Sequence, residues 1–166
     1  MAWVKSEYAG ELAVLSTWLV AIAPWSVSVF GNGRITGVVF RFLPFRLQYL
    51  YGISVSNELK FVWAWEAMRF PAYTGLAGTL WTVALAVFAG TLVASVAYYA
   101  REDEFSDGLP LHPVHFFGAL LGVVGLLTLV GTGLLNLEGG FAGTTVPVGA
   151  LVAPVLAGVL LTADLT

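Results

Sequence analysis

The chain has 166 residues, of which 58% are apolar and only 10% are charged, and its mean hydropathy is +0.87. Soluble domains carry about a quarter charged residues, so this composition excludes a water-exposed enzyme and a disordered tail. Seven basic against ten acidic residues give a net charge of −3, which argues against a nucleic-acid partner. The absence of cysteine excludes disulfides and thiolate metal sites. An integral membrane protein is the class that remains.

Four largely uncharged stretches are long enough to cross a bilayer. Because about 30 Å of hydrocarbon requires about 20 helical residues, we predict spans at about 8–25, 72–100, 114–137 and 141–163. A short turn, Glu138-Gly139-Gly140, joins the last two as an antiparallel helical hairpin. The predicted fold is a mainly α integral membrane protein, with four transmembrane helices in a single membrane domain over residues 1–166.

The connection over 26–69 differs from the spans, because its charges are too closely spaced for a crossing helix. Its aromatic residues recur with a period near two, which predicts a small antiparallel β meander over about 26–66. Gly31-Asn32-Gly33 is a hairpin signal within it. The stretch 57–70 is equally compatible with an amphipathic interfacial helix.

We expect this extramembrane or interfacial insert to lie on the membrane surface, with its aromatic side chains against lipid headgroups or a partner protein. The side chains predicted to make these contacts are Phe40, Phe42, Tyr49, Tyr51, Trp63 and Trp65. The insert carries five basic residues, whereas Lys5 and Arg101 lie on the other side in the four-span arrangement. The positive-inside rule therefore places 26–69 in the cytoplasm and both termini outside.

His112 and His115 are the only histidines, and two imidazoles at this spacing are candidate ligands for a transition metal or haem. Pro113 between them favours a plain helix start, and only Asp107 offers a third ligand nearby. We therefore predict no metal and no cofactor. Glu11, four residues after Glu7, is either a proton or cation site at the mouth of the first span or a solvated pair.

Small residues follow a spacing that brings helix backbones together in membranes. The predicted helix-packing positions are Gly118, Gly122, Gly125, Gly149, Ala153 and Ala157. Pro147 and Pro154 are expected to bend the last span.

Three stretches carry a resemblance to known proteins: WVKSEYAGEL at 3–12, APWSVS at 23–28, and VFRF at 39–42 leading to Tyr49. In these stretches the chain resembles small multi-span membrane proteins of halophilic archaea, from families of unknown function. The resemblance implies an origin and a membrane location, and it implies no reaction or functional residue.

The predicted function is a non-catalytic accessory or scaffold subunit in a larger membrane assembly, because contact surface is plentiful and chemistry-bearing clusters are scarce. The expected partners are membrane lipids and either partner proteins or further copies of the chain. The alternative is a small transporter or permease component that acts as an oligomer, with a substrate path along the bent last helix.

Overall fold

The computed structural model describes residues 8–31, 36–52, 59–63, 66, 75–102, 106, 108, 110–137 and 143–163. Within these ranges the chain forms four helices and five strands. In chain order they are α1 (Ala9–Ile22), β1 (Ser26–Gly31), β2 (Thr36–Arg41), β3 (Phe45–Tyr51), β4 (Leu59–Trp63), α2 (Leu76–Ala100), α3 (Pro113–Leu137), β5 (Gly143–Val146) and α4 (Val148–Leu161).

The prediction of four transmembrane helices is wrong, because only two of the described helices are long enough to cross a bilayer. Helices α2 and α3 have 25 residues each and α1 and α4 have 14. At 1.5 Å per residue, the long helices extend about 37 Å and the short ones about 21 Å. The short helices fall below the roughly 30 Å of a hydrocarbon core.

The first predicted span, 8–25, continues three residues beyond the end of the described helix. Helix α1 ends at Ile22, and the backbone at Ala23 is already extended. After Pro24, the N–H of Trp25 donates to the carbonyl of Arg41 at 2.7 Å, which joins the chain to the sheet. Hydropathy does not separate the helix from the residues that join the sheet, because both are apolar.

The fourth predicted span, 141–163, is wrong because it contains both a strand and a helix. Residues 143–146 form β5, which pairs antiparallel with β1. Thr144, Thr145 and Val146 are β-branched residues that favour strands. Pro147 then separates the strand from α4. The predicted hairpin turn at 138–140 lies outside the described residues.

The five strands form one antiparallel sheet with the order β4-β3-β2-β1-β5. The first four are sequence neighbours, as a meander requires, and β5 adds to the free side of β1. Residues 59–63, where strand and helix were both possible, are strand. The predicted turn residues Asn32 and Gly33 lie outside the described part of the chain.

The helices pack around a core of small, aliphatic and aromatic side chains, in which α3 contacts the other three helices. The fully buried Trp25 closes this core beside the sheet, with its ring edge-on to Phe88 of α2 at 5.6 Å. Gly125 of α3 lies against the Pro154 ring of α4. The short helices thus cover part of the α2–α3 hairpin.

Gly125→Ala is expected to lower the free energy of unfolding by about 1–3 kcal/mol, because overpacking forces neighbouring atoms to move. A Cβ at this position would lie 2.6 Å from Cδ of Pro154, whose ring has little freedom to adjust. The measurement is denaturant or thermal unfolding in mild detergent.

The matched control is Gly133→Ala on the same helix, where a Cβ would meet no described atom within 4 Å. This variant is expected to keep its stability or to gain up to about 1 kcal/mol from the better helix propensity of alanine. Equal loss of stability in both variants would contradict the described packing of α3 against α4.

Candidate interaction surface

One side of the sheet is apolar across all five strands, and we call it the aromatic face. Its members follow from the strand register and from the alternation of side chains along each strand. Its apolar members are Val27, Val29, Val38, Phe40, Phe45, Leu47, Tyr49, Tyr51, Leu59, Phe61, Trp63 and Val146. A row of cross-strand neighbours consisting of Val146, Val27, Phe40, Leu47 and Phe61 crosses the whole sheet.

Aromatic rings order one end of this face. Phe45 stacks on Phe42 with centroids 4.6 Å apart and on Phe61 at 5.1 Å. Trp63 is edge-on to both Phe45 and Phe61. Ring pairs of these geometries each contribute about 0.5–1.5 kcal/mol beyond their buried area. The rings therefore form a preordered cluster.

The aromatic face is largely uncovered within the described part of the molecule. Phe40, Phe61 and Trp63 are 39%, 48% and 41% exposed, and Leu59 is more exposed still. Single exposed apolar side chains are ordinary in proteins, whereas contiguous patches of this kind mark interaction sites. The aromatic face is thus the candidate site.

Four of the six predicted contact residues lie on this face within strands: Phe40, Tyr49, Tyr51 and Trp63. Phe42 follows β2 and joins them through its ring contact with Phe45. Trp65 lies outside the described residues. Phe45 and Phe61 belong to the same period-two pattern, so the sequence also indicates them as contact residues. No local signal assigns Val146, because its strand pairs with residues more than 100 positions earlier.

The opposite side of the sheet is polar and is in part buried; we call it the polar face. Its polar members are Ser26, Ser28, Arg41, Arg46, Gln48, Lys60 and Thr145. Arg41 is only 5% exposed and donates a hydrogen bond to the Ser28 hydroxyl. The Ser28 and Thr145 hydroxyls share a hydrogen bond of 2.7 Å.

A single asparagine connects the sheet to the long helices. The Nδ2 amide of Asn136, near the end of α3, donates to the Thr145 carbonyl at 3.1 Å. Its Oδ1 accepts from the Thr145 N–H, also at 3.1 Å. Because both backbone groups of Thr145 point away from β1, Ser28 and Thr145 form a non-hydrogen-bonded pair, in which side chains lie closest. This explains the short hydroxyl contact.

The two histidines lie at the start of α3, with ring centroids 6.2 Å apart. Nδ1 of His112 accepts from the N–H of Val114 at 3.4 Å, and its carbonyl accepts the first helical bond, from Phe116. His112 thus caps the helix that Pro113 begins. Among the described residues, no group of three or more His, Cys, Asp or Glu is placed to hold a metal ion.

The predicted helix-packing residues lie between helices of the same chain. A Cβ on Gly118 would lie 3.0 Å from Cβ of Leu160, and one on Gly122 would lie 3.6 Å from Cβ of Ala157. Gly149 approaches the backbone of Pro24. Ala153 and Ala157 are buried. These small residues allow α4 to pack closely against α3 and the α1–β1 connection.

The residues on which the transporter alternative depends do not lie together at one site. Pro154 packs its ring against Gly125, and Pro147 precedes α4 instead of bending it. Glu11 is exposed in the first turn of α1, and Glu7 lies outside the described residues.

A family of unknown function, DUF7549, has a model that matches residues 2–165. The chain belongs to the DUF7549 family. The predicted membership of a family of unknown function is thereby confirmed, whereas an origin in halophilic archaea stays a prediction. No curated protein matches the chain.

Asn136→Ala is expected to lower the free energy of unfolding by about 1–3 kcal/mol, because it removes two hydrogen bonds from the buried Thr145. Unfolding in mild detergent measures this loss. Leu137→Ala is the matched control, since Leu137 is the adjacent residue and is 82% exposed. An Asn136 variant as stable as the Leu137 variant would show that the amide does not hold the sheet.

Proposed function

We propose that this DUF7549 chain is a non-catalytic integral membrane protein that serves as an accessory or scaffold subunit of a larger membrane assembly. The observation that carries the proposal is the pair of adjacent 25-residue apolar helices, α2 and α3, whose outward sides remain apolar. In this proposal the α2–α3 hairpin crosses the bilayer, and α1 and α4 pack against it.

The apolar helices are not enclosed as the core helices of a soluble domain would be. Their most apolar windows have mean hydropathies of 2.0 and 2.1, yet only 28% and 44% of these windows is buried. Neither helix contains Asp, Glu, Lys or Arg. Their exposed side chains include Leu76, Val83, Val93, Val96, Val123, Leu126 and Val130. Lipid is the surrounding that such surfaces favour.

Three buried threonine hydroxyls of the helices are compatible with the same location. Thr17, Thr91 and Thr128 each donate to a carbonyl one turn earlier in their own helix, at 2.8–3.0 Å. In a bilayer, where water does not satisfy polar groups, hydroxyls are paired in this way. These side chains therefore have structural partners.

The accessory role is supported by exposed apolar surface that makes no contact within the described part of the chain. No described residue covers the aromatic face or the outer sides of both long helices, and these are the surfaces offered to lipids, partner proteins or further copies of the chain. The orientation proposed from sequence stays the same for the sheet: Arg41, Arg46 and Lys60 lie in its strands, which favours the cytoplasmic side.

In native membranes the chain is expected to stay in the pellet after alkaline carbonate extraction, because a helical hairpin in lipid is not released by high pH. After extraction in gentle detergent, native mass spectrometry is expected to find the 17.7 kDa chain in a complex of fixed stoichiometry. A peripheral protein of the same membranes and a known membrane protein are the controls.

The two measurements test separate parts of the proposal. Release by carbonate would contradict the membrane location. A chain that stays in the membrane but is always found as a lone monomer would contradict the accessory role.

A further inference from the structure

We propose that the aromatic face contacts the interfacial layer of a lipid bilayer, so that the sheet is a second membrane contact beside the α2–α3 hairpin. This inference rests on the proposed function in one respect, since it requires the hairpin to lie in the same bilayer. It names lipid, and not a partner protein, as the occupant of the aromatic face.

The residue types of the aromatic face fit the headgroup layer. Trp63, Tyr49 and Tyr51 combine an apolar ring with a polar group, and such residues concentrate where hydrocarbon meets water. Phenylalanine, leucine and valine occupy the positions around them. A face of this composition is stabilised by contact with the boundary of the acyl chains.

The bonds between α3 and the sheet place the sheet at the depth of the headgroup layer. Helix α3 extends about 37 Å, which exceeds the roughly 30 Å of hydrocarbon, so a terminal turn reaches the headgroups. Asn136 belongs to the last turn of α3 and is bonded to β5 at Thr145. The sheet therefore begins where the predicted span leaves the hydrocarbon.

The hydrogen bonding of the sheet also favours the headgroup layer over the hydrocarbon. Among the described residues no strand pairs with the outer side of β4, which lies at one end of the strand order. Backbone groups at an open edge are not tolerated in hydrocarbon, where water is absent. The headgroup layer is hydrated, so it accommodates both this edge and the apolar side chains of the aromatic face.

Lys60 is exposed and its charge is complementary to anionic headgroups, whereas Arg41 is buried and bonded to Ser28. The five strands contain Arg41, Arg46 and Lys60 and no acidic residue, although the whole chain has a net charge of −3. The basic residues lie on the polar face, and the exposed Lys60 is next to Phe61 of the aromatic face. Apolar contact on one side with basic residues on the other is the pattern of amphipathic elements at anionic membrane surfaces.

The absence of native cysteine allows spin labels to be attached at single sites without background. Phe61→Cys and Lys60→Cys are a matched pair, because they are adjacent in β4, both are exposed, and their side chains point to opposite faces. Each labelled protein is reconstituted into vesicles of phosphatidylcholine and phosphatidylglycerol. Power saturation then compares access of oxygen, which enriches in lipid, with access of a water-soluble nickel chelate.

We expect the ratio of oxygen access to nickel access to be several-fold higher at Phe61 than at Lys60. Tyr49→Cys and Gln48→Cys on β3 give the same comparison if the β4 variants fail to fold, as judged by circular dichroism and elution volume. Equal nickel access on the two faces would overturn the inference, because the aromatic face would be in water. Shielding of Phe61 from both reagents would also overturn it, because a protein surface would cover the face.

A third label distinguishes this inference from the proposed function. Val93 is 70% exposed in the middle part of α2, so Val93→Cys reports whether the helical hairpin is in lipid. High oxygen access at Val93 together with nickel access at Phe61 would refute only the inference. High nickel access at Val93 would refute the membrane location.

Discussion

The side chain of Asn136 is the connection on which the arrangement of sheet and helices depends. A primary amide presents an N–H donor and a carbonyl acceptor side by side, so it can bond both backbone groups of one residue at the edge of a strand. Asn136 does this for Thr145, the central bonded residue of β5. The outward backbone groups of Thr145 are thereby satisfied by a helix, which ties β5 to the end of α3.

This connection continues through the polar face. Thr145 shares a hydroxyl hydrogen bond with Ser28, and the buried Arg41 donates to the same serine. Polar groups removed from water are costly unless they are paired, so this chain of bonds restricts how β1, β2 and β5 can be placed. Because side chains alternate along each strand, fixing these polar groups on one face also fixes the aromatic side chains on the other.

The helices are joined by a different principle, in which small side chains allow close backbone contact. At Gly118 and Gly125 of α3, the space that a side chain would occupy is filled by Leu160 and Pro154 of α4. Dispersion contacts of this kind hold helices together in lipid, where water provides no driving force. The proline of α4 is therefore part of a packed contact.

The amino-acid sequence determined the features that depend on local pattern. Low charge and long apolar runs identified the two long helices, and the period-two aromatic residues identified the strands and most of the aromatic face. Tertiary structure decided the rest. The identity of β5 depends on pairing with β1, and the true length of α1 depends on the entry of Trp25 into the sheet. Hydropathy did not reveal either, because a strand paired in a sheet and a helix in lipid can have equally apolar sequences.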